Sequence, residues 1–266
     1  MRTADRRVVL GLHRSRHRRD LLTSALDLGV TALDTASNYL GHRSHSTLAA
    51  GAADLLPKLS ISTKVGYFED GHSLDPARLR GAAEQAVVDL GREPATVLLH
   101  NPEHSAPDAE TLSQACAVLV DAAERGLCGS WGISTWDPRS LVGIDLPRPD
   151  TLMVRSGLLV SSSVLNAAEA LVTAWRPTTV WGMSPFGGST TAPVWAKVDP
   201  RMFLRSPAAA TPVQAAFRVA FALPAVDAVA VSTDNAEHLR ELLGGLGHEI
   251  DAEVVQAYRQ LLRQSS

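Results

Sequence analysis

Short β-branched or apolar runs recur along the whole chain, and most of the segments between them repeat apolar residues every three or four positions. The runs are VVLGL (8–12), TALD (31–34), SISTK (60–64), TVLLH (96–100), SWGIS (130–134), TLMVRS (151–156), TTVWGMS (178–184) and DAVAVS (227–232). RLRGAAEQAVVDL (78–90) and TLSQACAVLVDAAE (111–124) carry the helical spacing most clearly. Asp marks a helix start in DPARL, DAETL and DPRSL, and Gly29, Gly91 and Gly126 close helices before the next strand. Eight strands alternating with helices, with no GxGxxG after any of them, predict an α/β fold of the (β/α)8 TIM-barrel type. An open α/β sheet of fewer strands is the second reading.

A chain of 266 residues suits one such barrel, and no Pro/Gly/Ser linker or change of composition divides it. The expectation is one barrel domain over residues 1–266, ending in a C-terminal helix. No stretch of about eighteen residues is uniformly apolar, so no membrane span is expected. The basic N-terminus holds a five-residue apolar run, shorter than the core of roughly seven to fifteen that a signal peptide needs. Cys116 and Cys128 form no disulfide framework, which fits a reducing, cytoplasmic setting. A net charge of −3 argues against general nucleic-acid binding. Arginine far outnumbers lysine, whose three positions are Lys58, Lys64 and Lys197. Oligomeric state leaves no mark in the sequence.

In a (β/α)8 barrel the reacting side chains sit at the C-terminal ends of the strands. Successive runs here end on Asp34, Lys64, His100 and Ser134. One polar residue at a strand end is ordinarily just the exit into solvent, but an acid, a base and an imidazole at consecutive ends form a set. Asp34 and Lys64 on neighbouring strands can neutralise one another, which lowers the cost of burying either. Tyr39 follows Asp34 by five residues. A tyrosine is a poor acid at neutral pH, with an ordinary pKa of about 10. A nearby ammonium favours the phenolate, while a carboxylate beside that ammonium keeps the phenol protonated and oriented. With an imidazole to orient a carbonyl oxygen, such a set protonates that oxygen as a hydride reaches the adjoining carbon. The hydride requires a cofactor.

GVTALDTASNYLGHRS, STKVG and VLLHNP resemble the strands and loops that carry the catalytic Asp, Tyr, Lys and His of the aldo-keto reductase family. GLCGSWGISTWDPRSL, WGMSPFGGS and PVQAAFRVAFALPAVDAVAVSTDNAEHLREL are similar to that family's fifth strand, seventh-strand loop and closing segment. The matches run in order from about residue 8 to 245, and the chain resembles a divergent, short-loop bacterial member. The resemblance implies Tyr39 as general acid, Lys64 and Asp34 as its tuning pair, and His100 as the residue orienting the carbonyl of a small-molecule substrate. It also implies a nicotinamide cofactor, NADPH or NADH, of which NADPH (NADP) is the form expected ahead of NAD. The cofactor would lie along Ser134, Thr135, Met153, Met183, Ser184, Phe186, Gly188, Ser232, Thr233, Asp234, His238 and Glu241. Three of these positions, and one next to them, depart from the family pattern. Thr135 stands for an Asn, Met153 for a Gln and Met183 for an aromatic, and Leu242 follows Glu241 where an Asn is usual. Thr135 keeps a hydroxyl and Met183 an apolar face.

The segment HRSRHRRD (13–20) places four arginines and two histidines just before a helix reading DLLTSALDLG. Cations oppose a helix dipole at that end, so the loop reads either as a seat for an anionic group or as a solvated basic turn. His13–His17 and His100–His104 have the spacing of metal-ligand pairs but no obvious acidic partner, so no metal is expected. Trp136 is placed to wall a pocket, SPFGGS offers backbone amides to a pyrophosphate, and SSSV (161–164) reads as a helix cap. The function expected is reduction of a ketone or aldehyde, or the reverse oxidation, in a tailoring step of secondary metabolism. Two alternatives stay open: a redox-neutral dehydration or isomerisation on the same residues, and a barrel that binds a nucleotide or partner without catalysis.

Overall fold

The computed structural model describes residues 6–264. The start of the N-terminal segment weighed above as a leader, residues 1–5, lies outside the described residues, as do 265 and 266. Along the chain come β1 (Arg7–Gly11), α1 (Arg19–Asp27), β2 (Ala32–Asp34), the irregular turn α2 (Tyr39–His42), α3 (Ser44–Ala52) and β3 (Ser60–Val65). Then follow the two-residue strands β4 (Tyr67–Phe68) and β5 (Gly71–His72), α4 (Pro76–Leu90), β6 (Thr96–His100), α5 (Ala109–Glu124) and β7 (Trp131–Thr135). The last part holds β8 (Thr151–Arg155), α6 (Ser162–Trp175), β9 (Thr179–Met183), α7 (Pro212–Ala220), β10 (Ala228–Ser232), α8 (Ala236–Gly245) and α9 (Ala252–Gln264).

Eight of these strands close into a parallel barrel in the order β1-β10-β9-β8-β7-β6-β3-β2, the (β/α)8 TIM barrel expected from the alternating runs. Each predicted run falls within a residue or two of its strand. The antiparallel pair β4–β5 is an addition, inserted between β3 and α4.

The helices follow from local signals. In α4, Leu79, Ala83, Ala86 and Leu90 are buried at four-, three- and four-residue spacing, which turns one face to the sheet. The Asp75 carboxylate accepts from the Arg78 amide at 2.8 Å, Pro76 occupies the first turn, and Gly91 ends the helix at φ 67°. Asp108 caps α5 the same way through the Thr111 amide, 2.8 Å away. DPRSL departs from expectation. Asp137 caps only a 3-10 turn over Pro138–Leu141. Gly143 at φ 91° and the prolines at 147 and 149 prevent its continuation as an α-helix. Ser161 stands at the N-cap of α6, but its hydroxyl meets Ser163 Oγ and caps no amide.

Side chains fill the barrel. Val9, Leu98, Met153, Trp181, Ala228 and Ala230 pack inside it, while larger apolar clusters lie between strands and helices. Gly132 on β7 sits where neighbouring strands meet: a Cβ there would collide with the Thr151 carbonyl oxygen and with Leu98 Cδ2. Gly51 on α3 meets nothing within 4 Å. Gly132→Ala is therefore expected to destabilise by about 1–3 kcal/mol through overpacking. Gly51→Ala is expected to be neutral or to stabilise by up to about 1 kcal/mol. Urea unfolding midpoints of the two variants check the contrast.

Candidate active site

At the C-terminal ends of the strands a cavity of about 380 Å³ opens, large enough for a small organic ligand. Asp34, Tyr39, Lys64 and His100 all line it. β2 delivers Asp34 at its last residue, and the turn beyond is held by the bonds Thr35 N to Ser62 O and Ser37 N to Lys64 O. These bonds fold the chain back over β3, so that Tyr39 lies above Lys64.

Lys64 is among the largest fully buried side chains of the protein, 1% exposed. Its Nζ donates to Asp34 Oδ2 at 2.6 Å and to the Thr35 carbonyl at 2.8 Å, and lies 3.4 Å from the Tyr39 hydroxyl. Burial works to lower the lysine's pKa, but Asp34 and Tyr39 outweigh it and hold the value above the ordinary one. Burial pushes the Asp34 carboxyl upward against the pull of Lys64. The ammonium, with three oxygen neighbours, defines the pair as ionised at neutral pH.

Tyr39 keeps its proton chiefly through burial, which outweighs the pull of the Lys64 ammonium and, with Asp34, raises its pKa. The group is a phenol holding its proton, and Lys64 acts on the phenolate only once that proton leaves. His100, 8% exposed, is held well below an ordinary imidazole value, first by burial and then by Lys64 and three other histidines. It is neutral at neutral pH. Its ring stands edge-on to Tyr39 at 6.2 Å between centroids, and His13 also stands edge-on to Tyr39, at 5.0 Å.

The Aldo/keto reductase family profile matches residues 13–162, more than half of the chain. The chain belongs to the aldo/keto reductase family. No curated protein matches the sequence. Among solved structures, an aldo-keto reductase from Bacillus halodurans in its holo form is similar at a TM-score of 0.72 and 16% identity, over 96% of this chain and 91% of that one. Two structures from Pseudomonas aeruginosa, each described as a candidate aldo-keto reductase, show TM-scores of 0.68 and 0.65. Their identities are 23% and 22%, over 90% of this chain in both cases and 88% and 90% of theirs. At such identities the likeness concerns the fold.

Not every position singled out in this chain reaches the cavity. Ser134, Met183, Ser184, Phe186, Gly188 and Ser232 line it. Met153 does not: it is fully buried inside the barrel, one layer below the rim, because Arg155 two residues later is the last of β8 on that face. Thr135 follows Ser134 and so faces the other way, buried and without a hydrogen-bond partner among the described residues. Glu241 is engaged by the Thr211 hydroxyl at 2.7 Å. Thr233, Asp234 and His238 lie around the start of α8, where the Thr233 hydroxyl meets the Asn235 carbonyl and His238 Nδ1.

The basic loop is largely spoken for. Arg18 pairs with Asp20, and Arg19 with Asp54 at 2.6 Å. His17 turns inward, 4% exposed, with Nε2 2.6 Å from Ser44 Oγ, which in turn bonds Thr35 Oγ1 at 2.5 Å. Arg16 and His17 adopt φ of 51° and 56° to make this turn. Arg14 alone of the loop's arginines lines the cavity, and its guanidinium donates to the Gly188 carbonyl at 2.6 Å.

Tyr67, Asn101 and Trp136 also line the cavity. Trp136 was anticipated as a wall, but Tyr67 and Asn101 were not. The available signal was a tyrosine three residues past the strand-end lysine, between Gly66 and Gly71.

His17 and His45 supply a test of the buried layer beneath the site. Burial lowers both to about 4, against 6.5 for a free imidazole. As pH falls, the unfolded chain takes up these protons first, so their stabilisation is whole above about pH 6.5 and drains away toward pH 4. Melting temperature is expected to fall across that window, and His17→Gln and His45→Gln are each expected to flatten the fall.

Proposed function

We propose that this chain is an NAD(P)H-dependent carbonyl reductase that interconverts a ketone or aldehyde with its alcohol, Tyr39 serving as general acid. The observation that carries the reading is the buried cluster in which Lys64 touches both Asp34, at 2.6 Å, and Tyr39, at 3.4 Å, opposite a neutral His100. The bound nicotinamide would supply a hydride to the carbonyl carbon. His100, uncharged, offers a ring nitrogen to orient the carbonyl oxygen without forming an ion pair there. Tyr39 gives its proton to that oxygen, and the Lys64 ammonium stabilises the phenolate left behind. Asp34 balances Lys64 so that the ammonium persists when buried.

The cavity wall suits a nicotinamide cofactor in part. The buried Ser134 hydroxyl has no partner among the described residues, which fits a carboxamide, and Met183 offers an apolar face. Arg14 brings a cation with no carboxylate partner among the described residues, and Gly188 at φ 107° leaves open space for a phosphate beside the backbone. Met153, Thr135 and Glu241 contribute nothing to that cradle as placed. NADPH is the proposed form, on the basic loop after β1; Arg18 and Arg240 beside α8 are already paired with Asp20 and Glu237.

Fluorescence titration with NADPH and NADH, followed by a carbonyl panel, tests the reading. NADPH is expected to bind more tightly, and Tyr39→Phe to lower kcat by about 10²–10⁴-fold with the dinucleotide Kd unchanged. Failure of both dinucleotides to bind would reject the reductase. Arg14→Ala is expected to weaken NADPH binding, and an unchanged Kd would remove Arg14 from the cofactor site.

A further inference from the structure

A second phenol stands against His100. The Tyr67 ring meets the His100 ring edge-on at 4.8 Å between centroids, so two tyrosines that line the same cavity contact His100. The two differ in what lies behind them. The Tyr39 hydroxyl meets Lys64, and Lys64 meets Asp34 and the Thr35 carbonyl, a set buried from solvent. The Tyr67 hydroxyl instead meets His104 Nδ1 at 2.6 Å and accepts from Asn101 Nδ2 at 3.2 Å. His104 is exposed, so two hydrogen-bonding groups connect the cavity wall to bulk water.

The surroundings are built to hold that contact. Asn101 and Ala106, at φ 49° and 43°, bracket the turn that carries His104. Gly66, at φ 134°, lets β4 pass against the His100 backbone, where a Cβ would lie 3.2 Å from His72 Nε2 and 3.3 Å from the His100 carbonyl. His72 Nε2 donates to the His100 carbonyl at 2.8 Å, so in the neutral ring Nδ1 accepts from the Ser105 hydroxyl at 2.6 Å. His72 is thereby a strut with both nitrogens engaged. Glu103, the acid in this turn, accepts through Oε1 from the Trp136 and Asp137 amides. That leaves His104 as the ring that links Tyr67 to water.

We propose that Tyr67 and His104 form the route by which the proton consumed in each reduction enters the cavity from solvent. The inference rests on the reductase reading above. In the reduction, the Tyr39 proton passes to the substrate oxygen, and the Tyr39 phenolate recovers a proton from water in the cavity. Tyr67 gives its hydroxyl proton to that water and takes one from His104 Nδ1. His104 takes one from bulk water at Nε2. One hydride and one solvent proton are consumed per alcohol formed; Tyr39 and Tyr67 end as they began, and His104, left protonated at Nε2 instead of Nδ1, returns to its starting tautomer by proton exchange with bulk water. Asn101 steadies the transient Tyr67 phenolate by donating to its oxygen.

Single-turnover reduction of 4-nitrobenzaldehyde by NADPH in weakly buffered medium tests the route. Cofactor oxidation is followed by absorbance and proton uptake by an indicator dye. In the wild type the two signals should coincide. In His104→Ala proton uptake should slow by about tenfold or more, and free imidazole in the medium should restore it. His104→Gln keeps a hydrogen-bonding partner for Tyr67 but cannot exchange a proton through it, and should show the same lag. Coincident signals in both variants would overturn the route. So would a lag confined to His104→Ala that imidazole leaves unchanged, which marks a structural role. A wild type that oxidises no NADPH with any carbonyl compound fails the reductase reading itself, before any variant is made.

Discussion

A buried ammonium organises this structure. An isolated charge at the position of Lys64 would be far too costly to keep, so its neighbours are arranged to meet it. Asp34 supplies the countercharge from the adjacent strand, the Thr35 carbonyl supplies a second acceptor, and Tyr39 lies within reach of the third proton. The layer beneath continues the arrangement. His17 meets Ser44 and Ser44 meets Thr35, so a strained turn after β1 is tied to the peptide whose carbonyl holds Lys64. The loop carrying Arg14 and the loop carrying Gly188 join across the cavity rim above it.

Around His100 the two tyrosines have opposite surroundings. Tyr39 is backed by a closed ion pair, which suits a group that must hold its proton and release it once. Tyr67 is backed by an amide and an exposed imidazole, which suits a group that exchanges with water. Burial, Lys64 and three further histidines keep the His100 imidazole uncharged. A cation there would compete with Lys64 for the same phenol.

Much of the site was legible in the sequence because period-two strands place their last residues predictably. TALD, SISTK and TVLLH deliver Asp34, Lys64 and His100 to one rim, and a turn of five residues returns Tyr39 to it. Met153 and Thr135 do not line the cavity that Ser134 and Met183 line. Both belong to strands whose ends approach it, but one residue of register decides between the rim, the layer below and the outer face. Met153 fell one layer short, and Thr135 faced outward. The basic loop left two readings open for a similar reason: its charges were visible, while their partners Asp20, Ser44 and Asp54 come from the next helix, from α3 and from the turn after α3.

The chain's own pattern determined the barrel, since eight apolar runs alternating with amphipathic helices bury both faces of a parallel sheet in few other ways. It determined the acid, the base and the imidazole as well, since each ends a run. Tertiary structure decided the rest. Tyr39 keeps its proton because burial outweighs the ammonium, a balance of solvation and charge that no linear pattern records. Tyr67 reaches His104 because a two-residue hairpin crosses to the turn after β6, thirty-seven positions along the chain. Contacts of that kind depend on where two loops meet in space, and only the folded chain brings them together.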